Sequence, residues 1–184
     1  MTERRILWRR LDAKGHDACR VLFQNDEWFL DGSAVFLENQ DITNVRYQVR
    51  CDSNWICKSA DVHGWCGPLK VDVNITREDD GHWRCNGKGI AAVSGSQDVD
   101  LGFTPATNTC SIRRLGLDVG QRKQGVAAWL DASDWHLKPL EQYYDRFADT
   151  DYEYGSPEHR FQARLKTDNF GFVREYPGLW VAEE

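Results

Sequence analysis

Residues 69–93 read LKVDVNITREDDGHWRCNGKGIAAV and carry two signals for tight antiparallel hairpins. Apolar and polar residues alternate from 69 to 75, which is typical of a strand with one buried face. Asp80-Gly81 and Asn86-Gly87 follow, and such pairs favour the positive φ angles of two-residue turns. The stretch therefore predicts three successive strands, at 71–78, 82–85 and 90–93.

The same patterning continues in both directions along the chain. Apolar and polar residues also alternate at 45–50 and 161–166, and Asp31-Gly32 adds a third turn signal between segments 28–30 and 33–38. Because the connections are too short for parallel crossovers, we expect antiparallel pairing in a barrel, roll or sandwich. Further strands are predicted at 6–10, 19–23, 54–63, 111–119, 125–131 and 171–176.

One segment predicts a helix. Leu140, Tyr143, Tyr144 and Phe147 fall at helical spacing after Pro139, a residue that suits the first turn of a helix. The expected fold is thus mostly β, a highly curved and barrel-like antiparallel sheet with one short helix near 139–148. The absence of a linker or a repeat predicts a single domain over residues 1–184.

Charge and hydropathy exclude several classes of function. Lysine plus arginine number 23 against 29 acidic residues, so the net charge of −6 argues against a nucleic-acid partner. The longest apolar run, at 126–130, is far short of the ~20 residues of a membrane-spanning helix. Arg9 and Arg10 interrupt any secretory signal, which predicts a cytoplasmic protein with reduced cysteines and no integral membrane association.

The spacing of the cysteines and histidines matches no common metal-binding motif. The chain has six Cys and five His, yet neither Cys-x-x-Cys nor His-x-x-x-His occurs. We therefore predict no metal site and no cofactor. His16, Asp17 and Cys19 lie close enough in sequence to suggest a nucleophilic thiol, although a turn with a structural cysteine is the favoured interpretation.

The most distinctive stretch is DVDLGFTPATNTCSIRRL, residues 98–115. On a strand, Asp98 and Asp100 would share one face, while Arg113 and Arg114 would point to opposite faces. Two carboxylates with an inward arginine could perform acid–base chemistry. The same residues could instead form a buried ion pair, and this structural interpretation is favoured on the residues alone.

Tryptophan is abundant, with eight in 184 residues, and most of these rings fall on or beside predicted strands. Core packing explains most of them, and we expect a minority to line a ligand cavity. The rings on predicted strands are Trp8, Trp55, Trp65, Trp83, Trp129 and Trp180.

Four motifs in this order resemble a family of small bacterial proteins described as "Putative glycolipid-binding". They are ILWRRLDAKGHDACR from Ile6, VRYQVRCD from Val45, DVDLGFTPATNT with IRRL from Asp98, and YPGLW from Tyr176. The similarity extends over almost the whole chain. It implies a spiral β-roll, which is a long curved antiparallel sheet around an apolar interior.

The leading hypothesis for function is non-enzymatic binding of an amphiphilic ligand, such as a glycolipid or lipid-like molecule, in the apolar concave interior. The alternative is an enzyme, for example a hydrolase of a lipid- or sugar-like substrate, using Asp98 and Asp100 with Arg113, or the His16–Cys19 pair. The candidate ligand-binding residues are Trp8, Arg10, Trp55, Trp65, Asp98, Asp100, Phe103, Asn108, Arg113, Arg114 and Trp129.

Overall fold

The first half of the chain forms eight strands that pair as consecutive antiparallel neighbours. A computed structural model describes residues 2–38 and 40–183. Within the described part of this half, the strands are β1 (Thr2–Arg10), β2 (Gly15–Gln24), β3 (Glu27–Glu38), β4 (Asp41–Asp52), β5 (Cys57–Cys66), β6 (Leu69–Arg77), β7 (Trp83–Cys85) and β8 (Lys88–Gly89).

The second half adds seven strands and one α-helix, preceded by a short 3-10 helix at Ala91–Val93. In chain order these elements are β9 (Val99–Leu101), α1 (Ala106–Leu115), β10 (Gln121–Asp131), β11 (His136–Arg146), β12 (Asp151–Ser156), β13 (Phe161–Thr167), β14 (Val173–Tyr176) and β15 (Trp180–Glu183).

The two halves join where the ends of the chain meet. β1 pairs antiparallel with β15, so the strand order is β8 to β1 and then β15 back to β9. All neighbouring pairs among the described strands are antiparallel except β9 and β10, which are parallel. The result is one curved sheet that does not close, since β8 and β9 form its edges.

The prediction of a mostly β protein with a curved antiparallel sheet and one helix is confirmed. Both turns in the 69–93 stretch are also confirmed, with positive φ at Gly81 and at both residues of Asn86-Gly87. The last strand of that stretch is only Lys88–Gly89, and the segment predicted as a strand at 90–93 contains the 3-10 helix instead.

The hairpin predicted at Asp31-Gly32 is wrong, because β3 runs straight through these residues. The turn lies earlier, at Asn25-Asp26, where both residues have positive φ. Gly32 pairs with Tyr47 on β4, and a Cβ at this position would overlap the Tyr47 phenol ring. Gly32 therefore leaves space for the Tyr47 ring on the neighbouring strand and does not form a turn.

The helix predicted near 139–148 is wrong, because this segment lies in β11. Leu140 and Tyr144 alternate with outward residues and are buried. Tyr143 is outward, yet it is covered because its ring lies over Gly155 and the Arg122 guanidinium carbon is 3.7 Å from its centroid. One shielded outward aromatic side chain is enough to imitate helical spacing.

The helix is α1, in the segment where the sequence predicted a strand at 111–119. Residues 106–112 are all buried and most are small, so no one-sided apolar stripe was visible in the sequence. Pro105 precedes the helix, and Gly116 ends it at φ 51 while its N–H donates to the Ile112 carbonyl. The helix packs into the single buried core that both halves of the sheet share.

Candidate functional site

A cavity of about 260 Å³ lies where the second half of the sheet meets the start of α1. Each of the strands from β9 to β15 contributes at least one side chain to its wall. The lining residues are Asp100, Gly102, Thr104, Pro105, Asn108, Trp129, Leu140, Tyr154, Ser156, His159, Phe161, Tyr176, Leu179 and Trp180.

Pairing between β9 and β10 places a carboxylate beside an indole ring. Asp100 and Trp129 are direct partners in the parallel register, so their side chains project from the same face of the sheet at neighbouring positions. A Cβ on Gly102 would lie only 2.5 Å from Trp129 Nε1. The glycine thus allows the indole to close over the loop and form one wall of the cavity.

The opposite wall is aromatic. The rings of Tyr154, Phe161 and Tyr176 contact one another with centroids 6.0–6.2 Å apart. At the rim, the exposed His159 ring contacts Trp129 edge-on at 5.3 Å. Aromatic rings therefore line the cavity, and the rings at its rim are partly exposed to solvent.

Several polar groups of this wall have no partner within the described chain. The Ser156 hydroxyl is buried and makes no hydrogen bond to the described residues. No hydrogen bond of the Tyr154 and Tyr176 hydroxyls occurs in residues 2–38 and 40–183 either, whereas Asn108 Nδ2 donates to the Tyr144 hydroxyl at 2.8 Å. Unsatisfied polar groups in a cavity are available to a ligand.

Asp100 is the charged group of the cavity. Its half-buried carboxylate makes no hydrogen bond or ion pair with any described residue. Burial, with a smaller contribution from the neighbouring Asp98 charge, raises the pKa of Asp100 to about 7. In turn, burial and the Asp100 charge raise the pKa of Tyr154. Near neutral pH this carboxyl exchanges between its acid and carboxylate forms.

Asp98 has a different role from Asp100. Its two oxygens accept hydrogen bonds from Arg114 Nε at 2.5 Å and Nη2 at 2.6 Å, and Gln97 Oε1 accepts a third from Arg114 at 3.0 Å. This is the bidentate geometry of a strong, mostly buried ion pair. Arg114 therefore neutralises Asp98, whereas the Asp100 carboxylate has no partner among the described residues.

A second buried carboxylate, Asp17, lies in the core rather than in the cavity. It is fully buried, and its Oδ2 accepts hydrogen bonds from the Tyr47 hydroxyl at 2.9 Å and from the Thr104 hydroxyl. Burial raises the pKa of Asp17 to about 7, although both hydrogen bonds act to lower it. Asp17 supports the loop that carries Thr104 into the cavity wall, and it has no open space of its own.

Three of the predicted ligand-binding residues, Asp100, Asn108 and Trp129, come together in this cavity. Phe103 lies beside them in the sequence, but its ring is buried in the core against Phe36. Trp8 is also fully buried, and its Nε1 donates to the Val173 carbonyl at 2.6 Å.

The remaining predicted residues lie elsewhere. Arg113 places its guanidinium over the rings of Trp55 and Phe170, at 5.7 and 5.3 Å, and lines a different depression. Arg10 lies behind Trp180, 5.7 Å from its ring, and pairs with Asp12 and Glu38.

Trp65 and the His16–Cys19 pair are also remote from the cavity. Trp65 is 43% exposed on β5. His16 is exposed on β2 and contacts Glu183 at 3.2 Å, whereas Cys19 is buried and has a pKa raised by burial. Because the histidine and the cysteine face opposite sides of the strand, they do not form a nucleophile–base pair.

Sequence patterns did not identify Tyr154, Ser156, His159, Phe161 or Tyr176 as site residues. Tyr154 and Ser156 are inward residues of β12 and Tyr176 is an inward residue of β14, and no local spacing connects the two strands. The only available signal was their alternation, which is identical to that of core residues.

The described residues show no other evident site chemistry. No three His, Cys, Asp or Glu side chains between 2 and 38 or 40 and 183 are grouped so as to hold a metal ion. No described helix has the length and apolar character needed to cross a membrane.

Comparison with known proteins assigns the chain to a family. The model of the family described as "Putative glycolipid-binding" matches residues 5–182, and the chain belongs to this family. Its fold is similar to the crystal structure of a DUF1089 family protein from Pseudomonas aeruginosa, with a TM-score of 0.77 and 29% sequence identity over 90% of each chain. No curated protein is significantly similar to the chain.

Proposed function

We propose that the protein binds a small amphiphile of the glycolipid type, without chemical conversion, and holds its ring-sized head group in the cavity beside Asp100. The family description supports this class of ligand. The observation that carries the proposal is the combination, in one cavity, of aromatic faces with polar groups that have no partner in the described chain.

A sugar ring would complement both features. Its C–H face packs against flat aromatic rings such as Trp129, and its hydroxyls both donate and accept hydrogen bonds. Asp100, Ser156 and the tyrosine hydroxyls supply partners for these hydroxyls. Because an unsatisfied buried polar group costs about 1–3 kcal/mol, a ligand that satisfies these groups gains affinity from each.

The size of the cavity limits what enters it. About 260 Å³ is below the ~300–1,000 Å³ of sites that enclose drug-sized ligands, so one ring fits better than a ring with acyl chains. In the described part of the chain, large side chains such as Trp8, Trp83 and Phe36 are packed in the interior of the sheet. The acyl part would leave the cavity past Leu179 and the partly exposed Trp129.

Tryptophan fluorescence with octyl β-D-glucoside, used below its micelle concentration, tests the proposal. We expect a saturable change in emission, and we expect Trp129→Ala to weaken binding about tenfold because it removes the stacking ring. Trp65→Ala is the matched control, since Trp65 is on β5 and remote from the cavity. No saturable binding, or equal loss in both variants, would refute the proposal.

Asp100 also favours a second candidate function, acid–base catalysis on a sugar-like substrate. A carboxyl with a pKa of about 7 suits a general acid or base at neutral pH. Glycoside hydrolysis ordinarily needs two carboxyls across the scissile bond, however, and the neighbouring carboxyl whose charge acts on Asp100, Asp98, is held by Arg114. Release of nitrophenol from 4-nitrophenyl glycosides by the wild type but not by Asp100→Asn would favour the enzyme over the binding protein.

A further inference from the structure

We infer that the head group bound in the Asp100 cavity carries a positive charge, as an amine-bearing ring or amino sugar does. This inference rests on the proposed function and narrows the class of ligand. It stands on three observations: the aromatic enclosure, the unpartnered carboxylate, and the absence of a lysine or arginine among the described residues that line the cavity.

The enclosure has the composition of a cation site. Five aromatic side chains line a space that one carboxylate also borders: Trp129, Tyr154, Phe161, Tyr176 and Trp180. The faces of such rings attract ammonium groups, and aromatic cages with this composition recognise ligand cations. A neutral ring would use the aromatic surfaces but not the negative charge of Asp100.

The neighbouring protein cations are committed to other acids. Arg114 is engaged by Asp98 through two hydrogen bonds, and Lys138, which lies over Trp129, is held by Asp131 at 2.7 Å and Asp134 at 2.6 Å. Apart from His159 at the rim, none of the described residues that line the cavity carries a basic side chain. A ligand ammonium would supply the missing charge, and this offsets the cost of keeping an unpaired, half-buried carboxylate.

The titratable groups that face Asp100 come from its own segment and from β11, β12 and β14, whereas β10, β13 and β15 contribute only rings that do not titrate. Asp98, which is paired with Arg114, lies on the same segment as Asp100. The hydroxyls that face Asp100 belong to Tyr144 on β11, Tyr154 on β12 and Tyr176 on β14. His159 lies at the rim. Because burial raises the pKa of Asp100 to about 7, a lower pH should protonate it and remove the attraction for a cation.

Calorimetry with cyclohexanol and cyclohexylamine at pH 8 and pH 5.5 tests the inference, since these probes share a ring and differ in charge. The amine, like a lysine side chain with a pKa near ~10.4, stays protonated at both values. We expect cyclohexylamine to bind at least about tenfold more tightly than cyclohexanol at pH 8, and we expect this preference to disappear at pH 5.5.

Variants assign the preference to Asp100. Asp100→Asn should abolish the preference at pH 8, whereas Asp79→Asn, at a 98% exposed side chain on a distant turn, should keep it. Should Asp100→Asn fail to fold, His159→Gln decides the matter: a preference that this variant still loses between pH 8 and pH 5.5 assigns the loss to Asp100, whereas a preference that it keeps at pH 5.5 contradicts the inference.

The outcomes separate the two proposals. If both probes bind with equal affinity at pH 8, the charge inference is wrong while the proposed cavity stands. If neither probe nor octyl β-D-glucoside binds, the cavity is not the ligand site and both proposals are wrong.

Discussion

Replacing Asp17 by asparagine should stabilise the protein more at pH 8 than at pH 5. Asp17 is fully buried, and burial raises its pKa from 3.8 to about 7. The asparagine oxygen can still accept hydrogen bonds from Tyr47 and Thr104, so the substitution removes the charge and keeps these contacts. Asp17 Oδ1 has no partner, and the amide nitrogen that replaces it would have none at either pH.

The magnitude follows from proton linkage. Between pH 3.8 and 7 the native state keeps a proton on Asp17 that the unfolded chain has lost, so stability falls as pH rises. At 1.36 kcal/mol per pKa unit, the raised pKa of Asp17 costs about 4 kcal/mol of stability at pH 8, where the native carboxyl is ionised, and about 2 kcal/mol at pH 5, where the native carboxyl keeps its proton and the unfolded one does not. The advantage of Asp17→Asn over the wild type should therefore grow by about 2–3 kcal/mol between these values.

Urea unfolding of both proteins at pH 5 and pH 8 measures this difference directly. Asp100 and all other titrating groups are present in both proteins, so their contributions cancel. Asp79→Asn, the exposed control, gives the background of the assay. A stability difference between wild type and Asp17→Asn that is the same at both pH values would refute the argument that burial keeps Asp17 protonated.

Two further predictions concern the surroundings of the cavity. Arg114→Met should lower the free energy of unfolding, measured in urea, by about 3 kcal/mol because it leaves buried Asp98 unpaired. Adding Asp98→Asn should restore most of this stability. Equal stability of the single and double variants would contradict this prediction. Gly102→Ala should push the Trp129 indole out of place and weaken octyl β-D-glucoside binding several-fold. Gly125→Ala, on the strand β10 that also carries Trp129, should not, because no atom lies within 4 Å of the added methyl. Equal affinities of the two alanine variants would show that the position of Trp129 does not matter.

Local sequence signals predicted the class of fold because the relevant interactions are local. Alternation places Val45, Tyr47 and Val49 on one buried face, and an Asn-Gly pair adopts positive φ whatever surrounds it. The predictions were wrong at positions where contacts between distant parts of the chain determine the local structure. Gly32 leaves space for a ring on the neighbouring strand, and the first seven residues of α1 are all buried and so show no helical period.

The candidate site could be predicted only in part for the same reason. Asp100 and Asn108 were identified as candidates because they lie in the distinctive 98–115 motif, and Trp129 because its ring falls on a predicted strand. Tyr154 and Tyr176 come from strands whose places around the cavity depend on the register of the whole second half of the sheet. The sequence alone could not distinguish the roles of Arg113 and Arg114. In the structure, helix α1 directs Arg114 towards Asp98 and Arg113 onto the ring of Trp55.

A crystal structure of the protein with octyl β-D-glucoside tests the central claim most directly. The account predicts the sugar ring inside the cavity, stacked on Trp129, with at least one hydroxyl within hydrogen-bonding distance of the Asp100 carboxyl. A glucoside bound at another place on the protein, with the cavity beside Asp100 left unoccupied at saturating ligand, would contradict it.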